Sequence, residues 1–220
     1  LFAAMVFVGL ATRMPSSDAM ERVEIAPALR RLVRDPFVRW MIPAAALHFA
    51  PHVGNTSFIA VHMNGLGMVA LWTSAAIAGG IVLEVYLMGI SGRVLARIRP
   101  EQLLLASVAL AIPRWALMAI LTEPLFIVFV NVLHGITFGM FWIAGVALMS
   151  ERAPPEVATS AQGLLALAVG GIGSSMGVMA ASWIATTWGT VAMYHVATLV
   201  GILALACAAL AVRPRRIPAD

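Results

Sequence analysis

The chain has 220 residues, of which 61% are hydrophobic and 11% are charged, and its formal net charge is +4. Soluble domains carry about 45–50% apolar and about 25% charged residues, so this composition excludes an ordinary soluble fold and predicts an integral membrane protein. All 14 basic residues are arginines, which excludes lysine-based catalysis. Because they lie near the ends of apolar segments, the positive charge does not indicate nucleic-acid binding.

Apolar segments of membrane-spanning length follow one another along the chain. Residues 1–12 have the composition of the end of a span and lack the basic start of a signal peptide, so we expect a longer protein upstream. Crossing about 30 Å of hydrocarbon takes about 20 helical residues, and six later segments have that length. They are approximately 37–61, 67–90, 103–121, 125–149, 158–185 and 190–212. The predicted fold is an all-α bundle of six transmembrane helices over residues 37–212, preceded by the end of another helix.

The loops that contain arginine alternate with loops that contain none. Arginine occurs in loops 13–36, 91–102 and 150–157, and it is absent from loops 62–66, 122–124 and 186–189. Because an excess of arginine marks the cytoplasmic side of a membrane protein, we predict a cytoplasmic middle loop at 13–36 and a cytoplasmic tail at 213–220. Within the middle loop, Leu29, Leu32 and Val33 recur at helical spacing, which predicts a short amphipathic helix on the membrane surface. For the residues before position 27, a solvated loop is an equal alternative.

Three ionisable side chains lie inside successive apolar segments: Glu84, Arg114 and His134. A charge at the centre of a membrane costs about 2.5–3.5 kcal/mol on insertion scales, so such residues usually face a cavity and pair with one another. We predict a proton-coupling site in which Glu84 carries the proton beside Arg114, while His134 relays the proton or binds substrate. The alternative is a structural ion-pair network that only holds the helices together.

Further polar and aromatic side chains interrupt the first and fourth predicted spans at similar depth. This arrangement is typical of a substrate cavity lined by two helices. Interhelical hydrogen bonds, worth about 0.6–2 kcal/mol per pair, are the alternative. The candidate substrate-binding residues are His48, His52, Asn55, Asn131, His134, Thr137, Phe138 and Trp142.

We expect that the protein is not an enzyme. The H-E-x-x-H pattern of zinc proteases is absent, and the histidines are scattered. Cys207 is the only cysteine, so the chain forms no internal disulfide and a thiolate metal site is not expected. We therefore expect no catalytic residue, no metal ion and no cofactor.

The loop between the second and third predicted spans reads Gly92-Arg93-Val94-Leu95-Ala96-Arg97-Ile98-Arg99-Pro100. It resembles the G-x-L-x-D-R-x-G-R signature that transporters of the major facilitator superfamily carry at this place in each half. Gly92 and Arg97 match the signature, and together with Arg93 they form the candidate conformational loop. Ala96 replaces the acidic residue, and Arg99 replaces the second glycine.

A closer resemblance is to the phenylpropionate permease-like and lactose permease-like proton symporters. Glu84, Arg114 and His134 fall on the same three helices as the acid, the arginine and the histidine of the lactose permease. Thr137 stands where that permease has the glutamate assigned to proton transfer. The pieces that resemble the phenylpropionate branch are Leu133-His134-Gly135, Thr137-Phe138-Gly139 and Ala161-Gln162-Gly163.

The resemblance covers about residues 1–212 and implies the C-terminal half of a 12-helix transporter. The expected partners are protons, a small-molecule substrate, the lipid bilayer and an N-terminal six-helix half of the same polypeptide. The implied function is secondary active transport in a bacterial inner membrane, with proton-coupled uptake of an aromatic acid, sugar or nucleoside by alternating access. A proton-antiport efflux carrier and a non-transporting membrane scaffold or receptor are the alternatives.

Overall fold

A computed structural model describes residues 25–213, so the predicted span end at 1–12, the first part of the middle loop and residues 214–220 lie outside the described part of the chain. Every regular element within the described part is a helix, as the composition and segment lengths predicted. The stretches long and apolar enough to cross a membrane are Ala70–Gly89, Pro100–Ile120, Pro124–Arg152 and Pro155–Ala211.

The predicted amphipathic segment contains α1 (Ile25–Arg34). Leu32 of this helix is buried against the bundle, whereas Leu29 and Val33 are exposed. The buried face of α1 is therefore narrower than the apolar face that the helical spacing predicted. Exposed apolar side chains on a helix that ends in arginines are typical of a helix lying at a membrane surface.

Helix α2 (Pro36–Gly65) begins at a defined cap. The Asp35 carboxylate accepts a hydrogen bond of 2.8 Å from the N–H of Phe37, which satisfies one of the free amides at the start of the helix. Pro43 and Pro51 lie inside α2, and each removes one backbone hydrogen bond and leaves a carbonyl of the preceding turn without its usual donor. The centre of α2 is therefore more polar than a regular helix of the same composition.

The next part of the chain contains two long helices joined by a short one, and then a broken helix. After α3 (Ala70–Gly89) and the short α4 (Ser91–Leu95), α5 (Pro100–Ile120) returns through the bundle. The predicted fourth span forms two helices, α6 (Pro124–Val132) and α7 (His134–Arg152). The break between them places His134 at the first residue of a helix.

The last stretch, Pro155–Ala211, is 57 residues long and is irregular at two places. A short turn leads to α8 (Ala158–Ala166), a π-helical segment (Leu167–Gly173) and α9 (Ser174–Ala211). Within α9, Gly189 has φ 87° and ψ 165°, a conformation that residues with a Cβ rarely adopt. Gly189 therefore divides α9 into two helical parts at the predicted loop 186–189.

Two apolar clusters fill the bundle, with buried polar residues between them. Along α2 the first cluster ends at Phe49 and the second begins at Ile59, and His52 and Asn55 are buried between these two positions. The buried polar side chains of the described part are His48, His52, Asn55, His62, Ser107, Arg114, Asn131 and Thr137. Most of them belong to the predicted site.

Glycines allow two pairs of helices to touch at the backbone. A Cβ added at Gly135 of α7 would lie 2.6 Å from the backbone nitrogen of Glu84 and from the carbonyl oxygen of Gly80 in α3. A Cβ at Gly177 of α9 would lie 2.5 Å from the carbonyl oxygen of Ala50 in α2. Small residues at such crossings let backbones approach closely. The first of these contacts places Glu84 next to the start of α7.

Candidate functional site

Arg114 lies inside the bundle on α5, directly after Pro113. Only 2% of its surface is exposed, and none of its guanidinium nitrogens has a hydrogen-bond partner among the described residues. The guanidinium carbon lies 3.7 Å from the centre of the Trp115 ring, and a desolvated cation–π contact is worth about 2 kcal/mol. Since the penalty for burying an ion is several kcal/mol, the contact offsets only part of it. Within the described part of the chain, Arg114 is a cation without a counter-ion.

Three histidines, which we call the histidine cluster (His48, His52 and His134), lie next to Trp115, whose ring centre is 5.1 Å from that of His52. The ring centres of His48 and His52, one turn apart on α2, are 4.5 Å apart. The centre of the His134 ring on α7 lies 5.1 Å from that of His52. Phe141 stacks on His48 with ring centres 4.5 Å apart. The imidazole rings thus form a continuous row from α2 to α7.

Hydrogen bonds fix the orientation of His52 within this row. Its Nδ1 lies 2.7 Å from the carbonyl oxygen of His48, and its Nε2 lies 3.3 Å from Oγ1 of Thr137. Because a carbonyl oxygen only accepts, Nδ1 carries a hydrogen, and Nε2 of the neutral ring accepts from the Thr137 hydroxyl. The same hydroxyl lies 3.2 Å from the carbonyl oxygen of His134. A second proton on His52 would therefore redirect the Thr137 hydroxyl toward that carbonyl.

A second group of buried polar side chains joins four helices beside the histidine cluster. Asn55 donates a hydrogen bond of 3.0 Å to Oδ1 of Asn131, and the Tyr194 hydroxyl donates one of 2.9 Å to Oδ1 of Asn55. Asn131 in turn donates to the carbonyl oxygen of Ala76 at 2.9 Å. These bonds connect α2, α3, α6 and α9. In this conformation they use the two predicted substrate-binding asparagines for contacts between helices.

A cavity of about 1030 Å³ opens between α3 and α7, and we call it the aromatic cavity. Its walls include Glu84, Phe138 and Trp142. The Phe138 and Trp142 rings have centres 6.4 Å apart and planes inclined by 59°. The centre of the Phe138 ring also lies 5.1 Å from that of His134 and 6.2 Å from that of His52. Phe138 is therefore shared by the aromatic cavity and the histidine cluster.

The structure distributes the predicted site residues over these three places. The Trp115 ring that lies under Arg114 and the His134 ring both have centres 5.1 Å from that of His52. Glu84 lines the aromatic cavity and forms no ion pair among residues 25–213. The predicted loop residues Gly92, Arg93 and Arg97 are exposed on α4 and the turn after it.

Sequence reasoning missed two aromatic residues that complete the site. Trp115 supports the guanidinium of Arg114, and its ring is stacked on that of Tyr194 with centres 6.3 Å apart. Tyr194 also bonds to the asparagine pair. The signal for Tyr194 was present in the sequence, since a tyrosine inside the apolar segment 190–212 needs a partner for its hydroxyl when it is buried.

The described residues include no group of histidine, cysteine, aspartate and glutamate side chains placed to hold a metal ion. Residues 173–177 have the G-x-S-x-G spacing of a hydrolase nucleophile turn. They lie within continuous helix at the start of α9, not on a strand-to-helix turn, and Ser175 is exposed. The two glycines of this spacing pack against α2, so the spacing here belongs to helix packing.

Comparison with known proteins defines the class of this molecule. The model of the MFS_1 like family matches residues 6–196, which is most of the chain. The chain belongs to this family, and its long apolar helices are those of a multi-pass membrane protein.

A curated relative agrees with this assignment. The maltose permease of Geobacillus stearothermophilus is 23% identical over 211 residues, which is 92% of this chain and 52% of the permease. The chain thus spans about half the length of the curated relative it matches.

Proposed function

We propose that this chain forms one six-helix half of a secondary active transporter that couples proton influx to the uptake of a small organic solute. The observation that carries the proposal is the buried Arg114 on the Trp115 ring, next to the histidine cluster, in helices whose buried residues are mostly apolar. Ionisable groups in a membrane interior are costly and mark proton, ion or substrate pathways. Transporters with paired helical halves move solutes by rocking of the halves around a site at mid-depth.

The proposed topology has six spans in a bacterial inner membrane, with the middle loop and the tail in the cytoplasm. The division of α9 at Gly189 supports two spans within the longest apolar stretch. Helix α2 has 30 residues, and about 20 suffice to cross the membrane. The match to 52% of the maltose permease supports a second half in the same polypeptide.

The three ionisable residues have different proposed roles. Glu84 carries the proton, because its protonation removes a negative charge from the wall of the aromatic cavity. Arg114 supplies a fixed positive potential that acts on the histidine cluster. His134 relays the proton, since it lies in the histidine row and against Phe138. Coupling between Glu84 and Arg114 then requires movement of α3 relative to α5 or relay through His134.

The proposed solute carries a ring. The inclined faces of Phe138 and Trp142 suit a ring held between them, and the Glu84 carboxylate in the same cavity accepts hydrogen bonds from hydroxyl or amine groups. The side of Phe138 that faces away from the cavity is next to His48, His52 and Thr137, and these residues set the polarity around it. The hydrogen bonds of Asn55 and Asn131 hold the surrounding helices together. The similarity to a maltose permease favours a sugar over an aromatic acid or a nucleoside.

Transport by the full-length protein in proteoliposomes tests the proposal. An imposed pH gradient, with the outside more acidic, should drive accumulation of radiolabelled maltose, a nucleoside or phenylpropionate inside the vesicles. A protonophore should abolish this accumulation. Solute leaving the vesicles in exchange for protons would assign the protein as an efflux antiporter. Absence of solute movement with all three compounds, in vesicles that hold a stable gradient, would argue against this substrate range. Accumulation that continues in the presence of the protonophore would refute proton coupling.

A further inference from the structure

A pocket lined by arginines lies at one end of the bundle, apart from the histidine cluster and the aromatic cavity. Its volume is about 500 Å³, and it lies between the start of α5, the end of α7 and the end of α9. Three arginines, Arg99, Arg152 and Arg213, line it together with a single acid, Glu101. We call it the arginine pocket. Leu105 and Val212 form its apolar edge.

Glu101 compensates only part of the positive charge of the arginine pocket. Its carboxylate lies 3.7 Å from Nε of Arg99 and 4.0 Å from Nη2 of Arg152. Both distances exceed the roughly 2.7–2.9 Å of a charge-assisted hydrogen bond. Arg213 has no ion pair within residues 25–213. Three guanidinium groups and one carboxylate leave a formal excess of two positive charges.

The guanidinium groups are accessible and partly held in position. The Arg99 side chain is 76% exposed and the Arg152 side chain 31%. The guanidinium carbon of Arg152 lies 5.2 Å from the centre of the Phe37 ring at the start of α2, which limits its motion. Arg99 is the N-cap residue of α5, and its guanidinium accepts no hydrogen bond from the free amides at the start of the helix. These amides point toward the same end of the bundle.

We propose that the arginine pocket binds the phosphate headgroup of an anionic phospholipid from the cytoplasmic leaflet. The planar guanidinium groups match two oxygens of a phosphate at once, and basic pockets between transmembrane helices on the cytoplasmic side bind anionic lipid headgroups. The apolar edge at Leu105 and Val212 provides contacts for the first carbons of an acyl chain. A soluble anion would use the arginines but not this edge, which favours the lipid as occupant.

The bound lipid adds polar contacts between the ends of α5, α7 and α9, whose buried residues already share one apolar cluster. It bridges α5, α7 and α9, and through Arg152 it reaches the start of α2. A ligand that binds only the folded protein stabilises it by mass action. The lipid in the arginine pocket therefore stabilises the folded protein, and this effect does not depend on which solute is transported.

The test is thermal unfolding of the full-length protein in detergent with added phospholipid. Phosphatidylglycerol should raise the midpoint temperature, whereas phosphatidylcholine and inorganic phosphate should leave it unchanged. Arg152→Gln and Arg213→Gln should each weaken the apparent affinity for phosphatidylglycerol about fivefold, since each arginine near the membrane surface contributes about 1 kcal/mol. Arg39→Gln is the matched control, because it removes the same charge from an exposed position outside the pocket and should not change the affinity.

Three outcomes would overturn the proposal. Equal weakening by Arg39→Gln would show attraction to the whole surface instead of binding in the pocket. Equal stabilisation by inorganic phosphate would assign the pocket to a soluble anion. Unchanged affinity in Arg213→Gln would exclude the pocket, and because Arg213 is exposed at the end of the bundle, this variant retains the fold even where Arg152→Gln does not.

Discussion

Nε2 of His52 lies 3.3 Å from Oγ1 of Thr137, and this hydrogen bond joins α2 to α7 in the centre of the bundle. A threonine hydroxyl donates and accepts hydrogen bonds but holds no net charge. The protonation state of His52 therefore determines the direction of the Thr137 hydroxyl, while the charge itself stays on the histidine. In the proposed proton-coupled transport, the proton is therefore stored on groups other than Thr137.

Thr137→Val removes the hydroxyl while keeping the shape of the side chain. Nε2 of His52 then loses its partner in a buried site, which costs about 1–3 kcal/mol. We expect a lower unfolding midpoint, measured by thermal unfolding, and a changed dependence of transport on pH, measured in proteoliposomes at a series of pH values.

Thr137→Ser is the matched control for this variant. It keeps the hydroxyl and should retain the wild-type pH profile. A wild-type profile in Thr137→Val as well would show that the bond between His52 and Thr137 has no part in coupling.

Arg114→Met separates a transport role from a structural one. Replacing a buried ion by an apolar side chain of similar volume is often neutral or stabilising, by about 1–4 kcal/mol, and Arg114 has no hydrogen-bond partner to lose among the described residues. We expect proton-driven uptake to be lost while the unfolding midpoint stays equal or rises. If Arg114 only held the helices together, stability and uptake would fall in parallel.

Arg114→Lys keeps the charge but loses the planar group that lies over Trp115. Because arginine stacks on aromatic faces through its planar guanidinium, we expect partial uptake with weaker coupling. Full uptake in this variant would show that charge alone is sufficient at this position.

Glu84→Gln should separate solute movement from proton movement. The neutral amide mimics the protonated acid, so the aromatic cavity remains permanently without its negative charge. We expect downhill exchange of solute to continue and accumulation against a gradient to be lost. Glu123→Gln is the control, because Glu123 lies in the loop before α6 and should not alter accumulation. Accumulation at the wild-type level in Glu84→Gln would show that Glu84 does not couple protons to solute. The ionisable residues would then have only a structural role.

The helices of the described part were predictable because long apolar runs separated by polar loops leave few alternatives in a membrane. The similar depth of Arg114 and His134 along neighbouring helices stays a prediction. The lateral position of Glu84 did not follow, since depth along an axis does not determine the rotation of a helix. The contact at Gly135 sets the rotation of α3 against α7, and it turns Glu84 toward the aromatic cavity.

The irregular helices were only partly predictable. The break at Gly189 coincides with a predicted loop, because glycine adopts a positive φ without strain. The break after Val132 had no such signal in the sequence. The π-helical segment Leu167–Gly173 contains three glycines, but glycines also occur at close helix crossings and did not predict an irregular helix here. The break after Val132 does not lie at a proline or a glycine. The π-helical segment depends on packing against α2, where the carbonyl oxygen of Ala46 approaches Gly173.

Gly135→Ala tests the backbone contact that positions Glu84. The added Cβ would lie 2.6 Å from the backbone nitrogen of Glu84, so α3 and α7 must separate, and overpacking of this kind costs about 1–3 kcal/mol. We expect a lower unfolding midpoint and a larger loss of accumulation than of downhill exchange, because Glu84 moves away from Phe138. Gly163→Ala is the control, since a Cβ there meets nothing within 4 Å and alanine stabilises a helix interior by about 0.5–1 kcal/mol relative to glycine. Equal midpoints for the two variants would show that α3 and α7 are not in backbone contact at Gly135, and the placement of Glu84 in the aromatic cavity would lose its support.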